Sequence, residues 1–348
     1  MRKQLLFAVT SIAILFSSCG DYGEAPFTTI TDPRGKIVNS SLMETWDVNQ
    51  VDSLINTLGG GAANLLNPEY GVSIYKINYQ TVDPFGGLIS ASGAVAVPND
   101  TDIGPIPMAS YQHGTESNDA NVPSQRNSEV IIGIVMATSG YICAMPDYLG
   151  LGEGPGIHPY IHSKSEATAV IDMLRACRDF APVIGHSWDS RIFLFGYSQG
   201  GHATMAAHKE IQENYSDEFV VTASAPMAGP YDVSGVQEQV IVSHDPYPTP
   251  GYLPYIFLSY GYAYGNLPEL TEVLKPPYDS ILPPMFNGQF SIGDINNLSA
   301  PVPRDMVVDS VMAAYEADND HPLKIALRDN DLWAVSYTHL TLPTICSV

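Results

Sequence analysis

One short segment constrains the fold of this 348-residue chain more than any other. Residues 193–202 have the sequence Phe-Leu-Phe-Gly-Tyr-Ser-Gln-Gly-Gly-His, in which an apolar run leads directly into Gly-x-Ser-x-Gly. The apolar residues 192–195 predict a buried strand, and residues 202–211 predict a helix with alanines on its packed side. Small residues at Gly196 and Gly200 let the backbones approach closely at such a bend, and Ser198 would project its hydroxyl from the end of the sheet.

The same five-residue pattern has only three fixed positions, so chance matches are common and a plain glycine-rich turn is the alternative interpretation. Both flanks have the composition that a strand-to-helix turn needs, which favours the projecting serine. The segment therefore predicts an α/β fold with Ser198 as a candidate nucleophile.

The charge balance excludes several classes of function. The chain carries 37 acidic residues against 15 Lys and Arg, a formal net charge of −22, so no basic patch is available for nucleic acid. An acidic surface suits a soluble protein whose copies repel one another. No Cys/His spacing predicts a metal site, and no motif predicts a cofactor. Cys143 and Cys177 fall in a predicted strand and a predicted helix, and either a disulfide or two buried thiols would fit.

The N-terminus has the pattern of an export signal. A basic start precedes the apolar residues 5–16, a run too short to span a bilayer comfortably, and small residues lead up to Cys19. These small residues resemble a bacterial lipoprotein signal, in which the cysteine becomes the acylated first residue. We predict a signal peptide over 1–19 and a tether over 20–40, with the protein anchored in a membrane on its periplasmic or cell-surface side. An ordinary secretory signal with an incidental cysteine is the alternative.

The middle of the chain alternates between strand and helix patterns. After a helix at 51–58, two runs with period-2 alternation predict a hairpin, and the later runs alternate in type. This order predicts a mostly parallel sheet with helices on both faces. The predicted strands are 71–82, 88–97, 106–111, 141–145, 192–195 and 219–225, and the predicted helices between them are 129–139, 164–178 and 202–211.

Beyond Asp232 the alternation stops. Residues 233–331 are rich in Pro and Tyr, and we interpret them as a helical cap inserted after the core, 41–232. Tyrosines are concentrated in 247–266, where aromatic rings with polar tips could line an acyl or aryl pocket. A packed helical hairpin without substrate contact is the alternative.

Several motifs taken together resemble the α/β-hydrolase superfamily, and within it the secretory lipase/esterase family of exported bacterial and fungal enzymes. The likeness covers about 70–331, and the order and spacing of the motifs make it specific. Its carriers are residues 75–83 (Tyr-Lys-Ile-Asn-Tyr-Gln-Thr-Val-Asp), 91–98 (Ala-Ser-Gly-Ala-Val-Ala-Val-Pro), 111–115 (Tyr-Gln-His-Gly-Thr), 146–152 (Pro-Asp-Tyr-Leu-Gly-Leu-Gly), 158–160 (His-Pro-Tyr) and 196–201 (Gly-Tyr-Ser-Gln-Gly-Gly).

The resemblance implies hydrolysis of carboxylic esters, with a small ester or a lipid as substrate. Ser198 would attack the ester carbonyl and form an acyl-enzyme, activated by a histidine that an acidic residue orients. The oxyanion would be held by backbone N–H groups of Gln199 and of either Gly114 or Thr115. A serine peptidase of the same fold and a non-catalytic surface lipoprotein are the alternatives.

Four other polar residues close to these motifs receive lesser roles. We predict that His113 positions Gly114 rather than transferring protons, and that Asp147 holds its own glycine-rich loop. Asp232 follows the last core strand, where some relatives have their triad acid, and it remains a minor candidate. His202 lies one turn past Ser198, and we predict that it packs within the helix.

The triad acid and histidine have no clear candidates. The order in this fold is Ser, acid, His, which leaves His339 as the late histidine. Residues 335–348 resemble translated adapter sequence, and we predict a non-native tail, a natural protein that continues past about Ala334, and a chain that lacks both residues and most of its activity. The alternative is a native strand around Thr338 and Leu340 that brings His339 to the site.

Overall fold

The computed structural model describes residues 32–58 and 67–334, and those from Arg34 onward belong to one unit. The predicted signal peptide with Cys19, the first part of the tether and the tail with His339 lie outside the described residues. Within the described ranges the chain forms seven strands and eleven α-helices.

The seven strands make one sheet with the order β1-β2-β3-β5-β4-β6-β7. β5, β4, β6 and β7 pair in parallel, and the three strands at the other end pair antiparallel. The parallel part of the sheet is therefore confined to four strands, and β1, β2 and β3 pair antiparallel with their neighbours. The bounds are Ile37–Trp46 (β1), Val72–Val82 (β2), Leu88–Pro98 (β3), Pro105–Gln112 (β4), Ile142–Pro146 (β5), Ser187–Tyr197 (β6) and Val221–Met227 (β7).

β1 is a strand that the sequence pattern did not predict. It begins at Ile37, inside the segment that we assigned to the tether, and pairs with β2 along the edge of the sheet. Its side chains are half-buried or exposed, and Val38 and Leu42 face solvent. An edge strand of this kind has no buried face, so its sequence lacks the alternation that marks a half-buried strand.

Helices cover both faces of the sheet, as predicted. Val95 and Val97 of β3 belong to the cluster that packs against α3 and α4, whereas Ala94 and Ala96 belong to the cluster on the opposite face. This division follows from the period of two along a strand. The four core helices are Val48–Leu58 (α1), Val130–Thr138 (α2), Ser163–Phe180 (α3) and Gln199–Asn214 (α4).

Residues 233–331 form a set of short helices, and their buried apolar side chains cluster with Tyr160 and Ile161. The domain boundaries that we drew at 41, 232 and 331 stay predictions. The helices are Glu238–Val242 (α5), Tyr252–Tyr264 (α6), Leu270–Val273 (α7), Tyr278–Ile281 (α8), Ile292–Leu298 (α9), Asp309–Ala317 (α10) and Pro322–Asp329 (α11).

Two further observations answer questions that the sequence left open. Cys143 and Cys177 are both buried free thiols, and burial raises the pKa of Cys143 to about 12. Among the described residues, no helix has the length and apolar character needed to cross a bilayer.

Candidate active site

Ser198 lies on a sharp turn between β6 and α4, where sequence analysis placed it. Its φ of 59° and ψ of −123° put it in a backbone region that non-glycine residues rarely adopt. The turn is held from both sides. The Ser198 N–H donates to the Met227 carbonyl of β7 at 3.0 Å, and the Gly201 N–H donates to the Ser198 carbonyl at 2.9 Å. The side chain is half-buried.

The glycines around Ser198 have no room for a side chain. A Cβ on Gly196 or on Gly200 would overlap the Gln112 carbonyl oxygen at the end of β4, and a Cβ on Gly201 would overlap the Met227 carbonyl oxygen. The ends of three neighbouring strands therefore converge on the first turn of α4. The predicted strand, turn and helix are confirmed, and the plain-turn alternative does not account for this close packing.

The loop that follows β4 lies next to this turn. A Cβ built on Gly114 would be 3.7 Å from the Tyr197 carbonyl oxygen, so Gly114 faces the residue before Ser198. His113 is fully buried, with Nδ1 at 2.7 Å from the Gly114 carbonyl oxygen and Nε2 at 3.2 Å from the Asp147 carbonyl oxygen. Its ring therefore holds the loop in place, as we predicted. The Thr115 hydroxyl donates to the Tyr160 hydroxyl at 3.2 Å.

Asp147 has a structural role, although its carboxylate bonds to other segments rather than to the glycine-rich loop that we predicted it to hold. Its buried carboxylate accepts from the Ser92 hydroxyl at 2.6 Å and from the Ser124 N–H at 2.9 Å, and so joins β3, the segment before α2 and the end of β5. Burial raises its pKa, and the hydrogen bonds from Ser124 and Ser92 only partly offset that effect.

Asp232 lies at the start of the cap. Its carbonyl accepts from the Gln237 N–H at 3.0 Å, and its carboxylate lies against Gly235. The structure gives it no contact with Ser198, and its role as triad acid stays a minor prediction.

The described histidines do not supply a base at Ser198. In the described ranges no side chain hydrogen-bonds to the Ser198 hydroxyl. His202 has both ring nitrogens bonded elsewhere, His208 bonds to the Ser224 hydroxyl, and His321 accepts from a helix N-terminus. His244 is an exposed residue of the cap. His339 lies outside the described residues.

A buried polar network lies beneath the Ser198 turn. Glu166 of α3 accepts from His202 Nδ1 at 2.6 Å and from Gln199 Nε2 at 3.0 Å, and the Gln199 amide also donates to His158 Nε2 at 2.8 Å. Sequence reasoning missed Glu166 and gave His202 a packing role only. The available signal was an acidic residue within the predicted helix 164–178, next to the alanine of its apolar face.

A small apolar pocket of about 70 Å³ lies between residues of the cap and residues of the core. Tyr247 and Tyr252, from the tyrosine-rich segment 247–266, line it, and Tyr160 of the core forms part of its wall. Since the Tyr160 hydroxyl accepts a hydrogen bond from Thr115, one wall residue of the pocket contacts the loop after β4. The remaining lining residues are Ile161, Pro230, Val233, Gln237, Val240, Ile241, Leu253, Ile256 and Leu327.

The cap also holds the segment that follows Thr115. The Tyr255 hydroxyl donates to the Glu116 carbonyl at 2.8 Å, and the Ser117 hydroxyl donates to the Phe290 carbonyl at 2.9 Å. The Asp119 N–H donates to the Gly288 carbonyl at 2.8 Å. No group of side chains in the described parts of the chain is arranged to hold a metal ion.

Comparisons with known proteins agree with this geometry. A model of the secretory lipase family matches residues 117–244. None of the curated protein sequences matches the chain.

Solved structures are similar over most of the chain. A putative hydrolase from Legionella pneumophila is 28% identical with a TM-score of 0.76, covering 85% of this chain and 79% of its own. The rice cell wall degrading esterase LipA from Xanthomonas oryzae, in a ligand-bound form, is 25% identical with a TM-score of 0.77, covering 88% and 81%. Candida antarctica lipase A, at 18% identity, a TM-score of 0.63 and coverage of 88% and 66%, shares the fold.

Proposed function

Since this chain is an α/β-hydrolase of the secretory lipase family, we propose that it hydrolyses carboxylic esters through an acyl-enzyme formed on Ser198. The observation that carries the proposal is the conformation of Ser198, which lies on a closely packed turn beside Gly114. Strain of this kind at a polar residue persists only where the surrounding structure enforces it, and it is concentrated at functional sites.

The chemistry follows from the groups around the serine. The Ser198 Oγ attacks the ester carbonyl and its proton passes to a base, and the tetrahedral intermediate expels the alcohol. Water then hydrolyses the acyl-enzyme by the same steps and releases the acid. The first N–H groups of a helix have no partner within it, so the Gln199 N–H at the start of α4 is free to donate to the oxyanion.

The second oxyanion donor would come from the backbone of Gly114 or Thr115. Gly114 lies beside Tyr197, the residue before Ser198, which supports this assignment. Losing one such donor typically raises the barrier by about 2.7–4 kcal/mol. The backbone N–H from the loop after β4 should therefore lower the activation barrier by a similar amount.

The pocket between cap and core would hold the acyl or aryl part of the substrate. Its walls are mostly apolar, and the tyrosines Tyr160, Tyr247 and Tyr252 are among them. One similar structure is described as an esterase that degrades rice cell wall, and another as a lipase. The first name supports ester substrates, and the second belongs to a structure that shares the fold.

We propose that this chain lacks the histidine and the acid that activate Ser198 in the natural protein, with Asp232 as a minor candidate for the acid. Each described histidine near the turn is already engaged, and Asp147 is bonded to Ser92 and Ser124.

The test is hydrolysis of p-nitrophenyl acetate, butyrate and octanoate by the purified chain and by Ser198→Ala. We expect turnover of at least one ester by the wild type, at the low level that a chain without its triad acid and histidine would retain, and its loss in the variant. Ser139→Ala is the matched control, because Ser139 is an exposed serine at the end of α2. Turnover that is unchanged in Ser198→Ala would refute the proposal.

The family and its neighbours indicate an exported protein. We propose in addition that Cys19 is acylated and tethers the protein to a membrane. In a bacterial host, the wild type should then fractionate with membranes and incorporate labelled palmitate, and Cys19→Ser should do neither. A wild type that carries no lipid would contradict the anchor without affecting the proposed hydrolysis.

A further inference from the structure

The network beneath the Ser198 turn joins four buried polar side chains, Glu166, His202, Gln199 and His158. All four are less than 5% exposed. Buried polar side chains are stable only when hydrogen-bonded, and a network in which nearly every group is bonded holds its members in one arrangement.

The charge state of His202 follows from its partners. Nδ1 lies 2.6 Å from the Glu166 carboxylate, and Nε2 lies 3.0 Å from the Asn330 carbonyl oxygen. The Asn330 carbonyl and an ionised Glu166 carboxylate both accept, so both ring nitrogens donate and the ring is an imidazolium paired with a carboxylate. Burial alone would lower the pKa of His202, but the charge of Glu166 and its hydrogen bond outweigh burial and raise it.

His158 is in the opposite state. Its Nδ1 lies 2.8 Å from the Leu149 carbonyl oxygen and therefore carries the hydrogen, which leaves Nε2 to accept from the Gln199 amide at 2.8 Å. Burial lowers the pKa of His158 to about 4, in agreement with a neutral ring. The two hydrogens of the Gln199 amide are thus directed to Glu166 and to His158, and this arrangement admits only one orientation of the side chain.

This anchoring acts on the residue whose backbone N–H would donate to the oxyanion. We infer that Glu166 and His158 are positioning residues, which hold the first turn of α4 so that the Gln199 N–H points at the oxyanion. The inference rests on the proposed function. Neither side chain need touch the substrate, because both act through the side chain of Gln199.

His202 completes the arrangement from the other side of α4. Its partner Asn330 follows α11, and the Asn330 side chain accepts from the Ser163 N–H at 2.7 Å at the start of α3. The network therefore joins α3, α4 and the end of the cap at one point, so a change at Glu166 should be transmitted directly to the first turn of α4.

The test compares Glu166→Gln with a matched buried carboxylate on the same helix. Asp172 is fully buried in α3 and pairs with Arg175 at 2.8 Å and with Arg34 at 3.1 Å, away from the Ser198 turn. Glu166→Gln should lower kcat about 10- to 100-fold with KM unchanged, the expected effect of misplacing a transition-state contact. Asp172→Asn should lower the unfolding midpoint and leave kcat unchanged.

Two further readouts separate positioning from general destabilisation. The affinity of Glu166→Gln for a trifluoromethyl ketone, which forms a tetrahedral adduct with the serine, should fall by the same factor as kcat. The Gln199 backbone amide should shift in the ¹⁵N spectrum of Glu166→Gln and stay in place in Asp172→Asn. Gln199→Met keeps the backbone N–H but loses the side-chain amide, and it should lower kcat in the same way. If Glu166→Gln does not fold, kcat of Gln199→Met tests the inference.

An unshifted Gln199 amide in Glu166→Gln would overturn the inference. An unchanged kcat in both Glu166→Gln and Gln199→Met would also overturn it. A wild type that hydrolyses no ester would instead sink the proposed function, and the amide shift would still decide whether Glu166 positions Gln199.

Discussion

At the scale of single residues, the central feature is the backbone of Ser198. Its positive φ is strained for any residue with a Cβ, and such strain costs about 1–3 kcal/mol. The neighbouring glycines pack tightly against the Gln112 and Met227 carbonyls, so the backbone cannot shift to relieve the strain at Ser198. The site thus keeps a polar side chain where glycine would be more stable.

This predicts a difference between two substitutions that both remove the hydroxyl. The free energy of unfolding of Ser198→Gly should be about 1 kcal/mol higher than that of Ser198→Ala, because glycine relieves the backbone strain. The greater flexibility of glycine in the unfolded chain offsets only part of this stabilisation. Urea denaturation of the two variants measures the difference. Equal free energies would show that the turn is not strained.

The site residues that could be predicted from the sequence are those whose roles depend on their immediate neighbours in the chain. Gly196, Ser198 and Gly200 form a pattern within five positions, and their roles in the turn follow from it. The Glu166–His202 pair joins residues 36 positions apart, and no local pattern reveals which polar side chains will meet in a core. His202 does pack within its helix, but as half of an ion pair.

At the scale of elements, the start of α3 combines a helix terminus with a buried titratable group. His162 precedes the helix, lies 2.7 Å from the Ser165 hydroxyl through Nδ1, and packs edge-on against Tyr264. Burial lowers its pKa to about 4, although the charge of Glu166 opposes that shift. The folded state therefore keeps this ring neutral at pH values where the unfolded chain binds a proton.

The start of α3 should for this reason lose stability in acid. The folded pKa of His162 is depressed below the unfolded value of about 6.5, so its contribution to stability is full above that value and is lost as pH falls toward 4. The difference in unfolding free energy between wild type and His162→Gln should shrink by about 2 kcal/mol from pH 7 to pH 5. Urea titrations at both pH values measure it, and a constant difference would contradict the neutral buried ring.

The core elements were predictable from sequence and most of the cap was not. β2 to β7 and α2 to α4 were all predicted, with ends displaced by a few residues, because buried strands and amphipathic helices leave periodic patterns. β1 is exposed and lacks that pattern. The cap helices α7 and α8 have four residues each, too few for a helical period to be visible, and prolines separate them.

At the scale of the whole molecule, the excess of 22 negative charges produces a field that acts on substrates before they bind. Anionic esters should be repelled at low ionic strength and neutral ones unaffected. We expect kcat/KM for p-nitrophenyl hemisuccinate to rise with added salt up to about 0.15 M, where the Debye length is about 8 Å, and kcat/KM for p-nitrophenyl butyrate to stay level. A parallel response of the two esters would indicate that the field does not reach the site.

The account as a whole depends on Ser198 being a nucleophile, and covalent labelling tests this directly. The protein with its natural C-terminus restored is incubated with a fluorophosphonate, and the adduct is located by peptide mass spectrometry. We predict a single phosphonyl adduct on the peptide that contains Ser198, absent from Ser198→Ala and present in Ser139→Ala. An adduct at another serine, or none at all, would contradict the account.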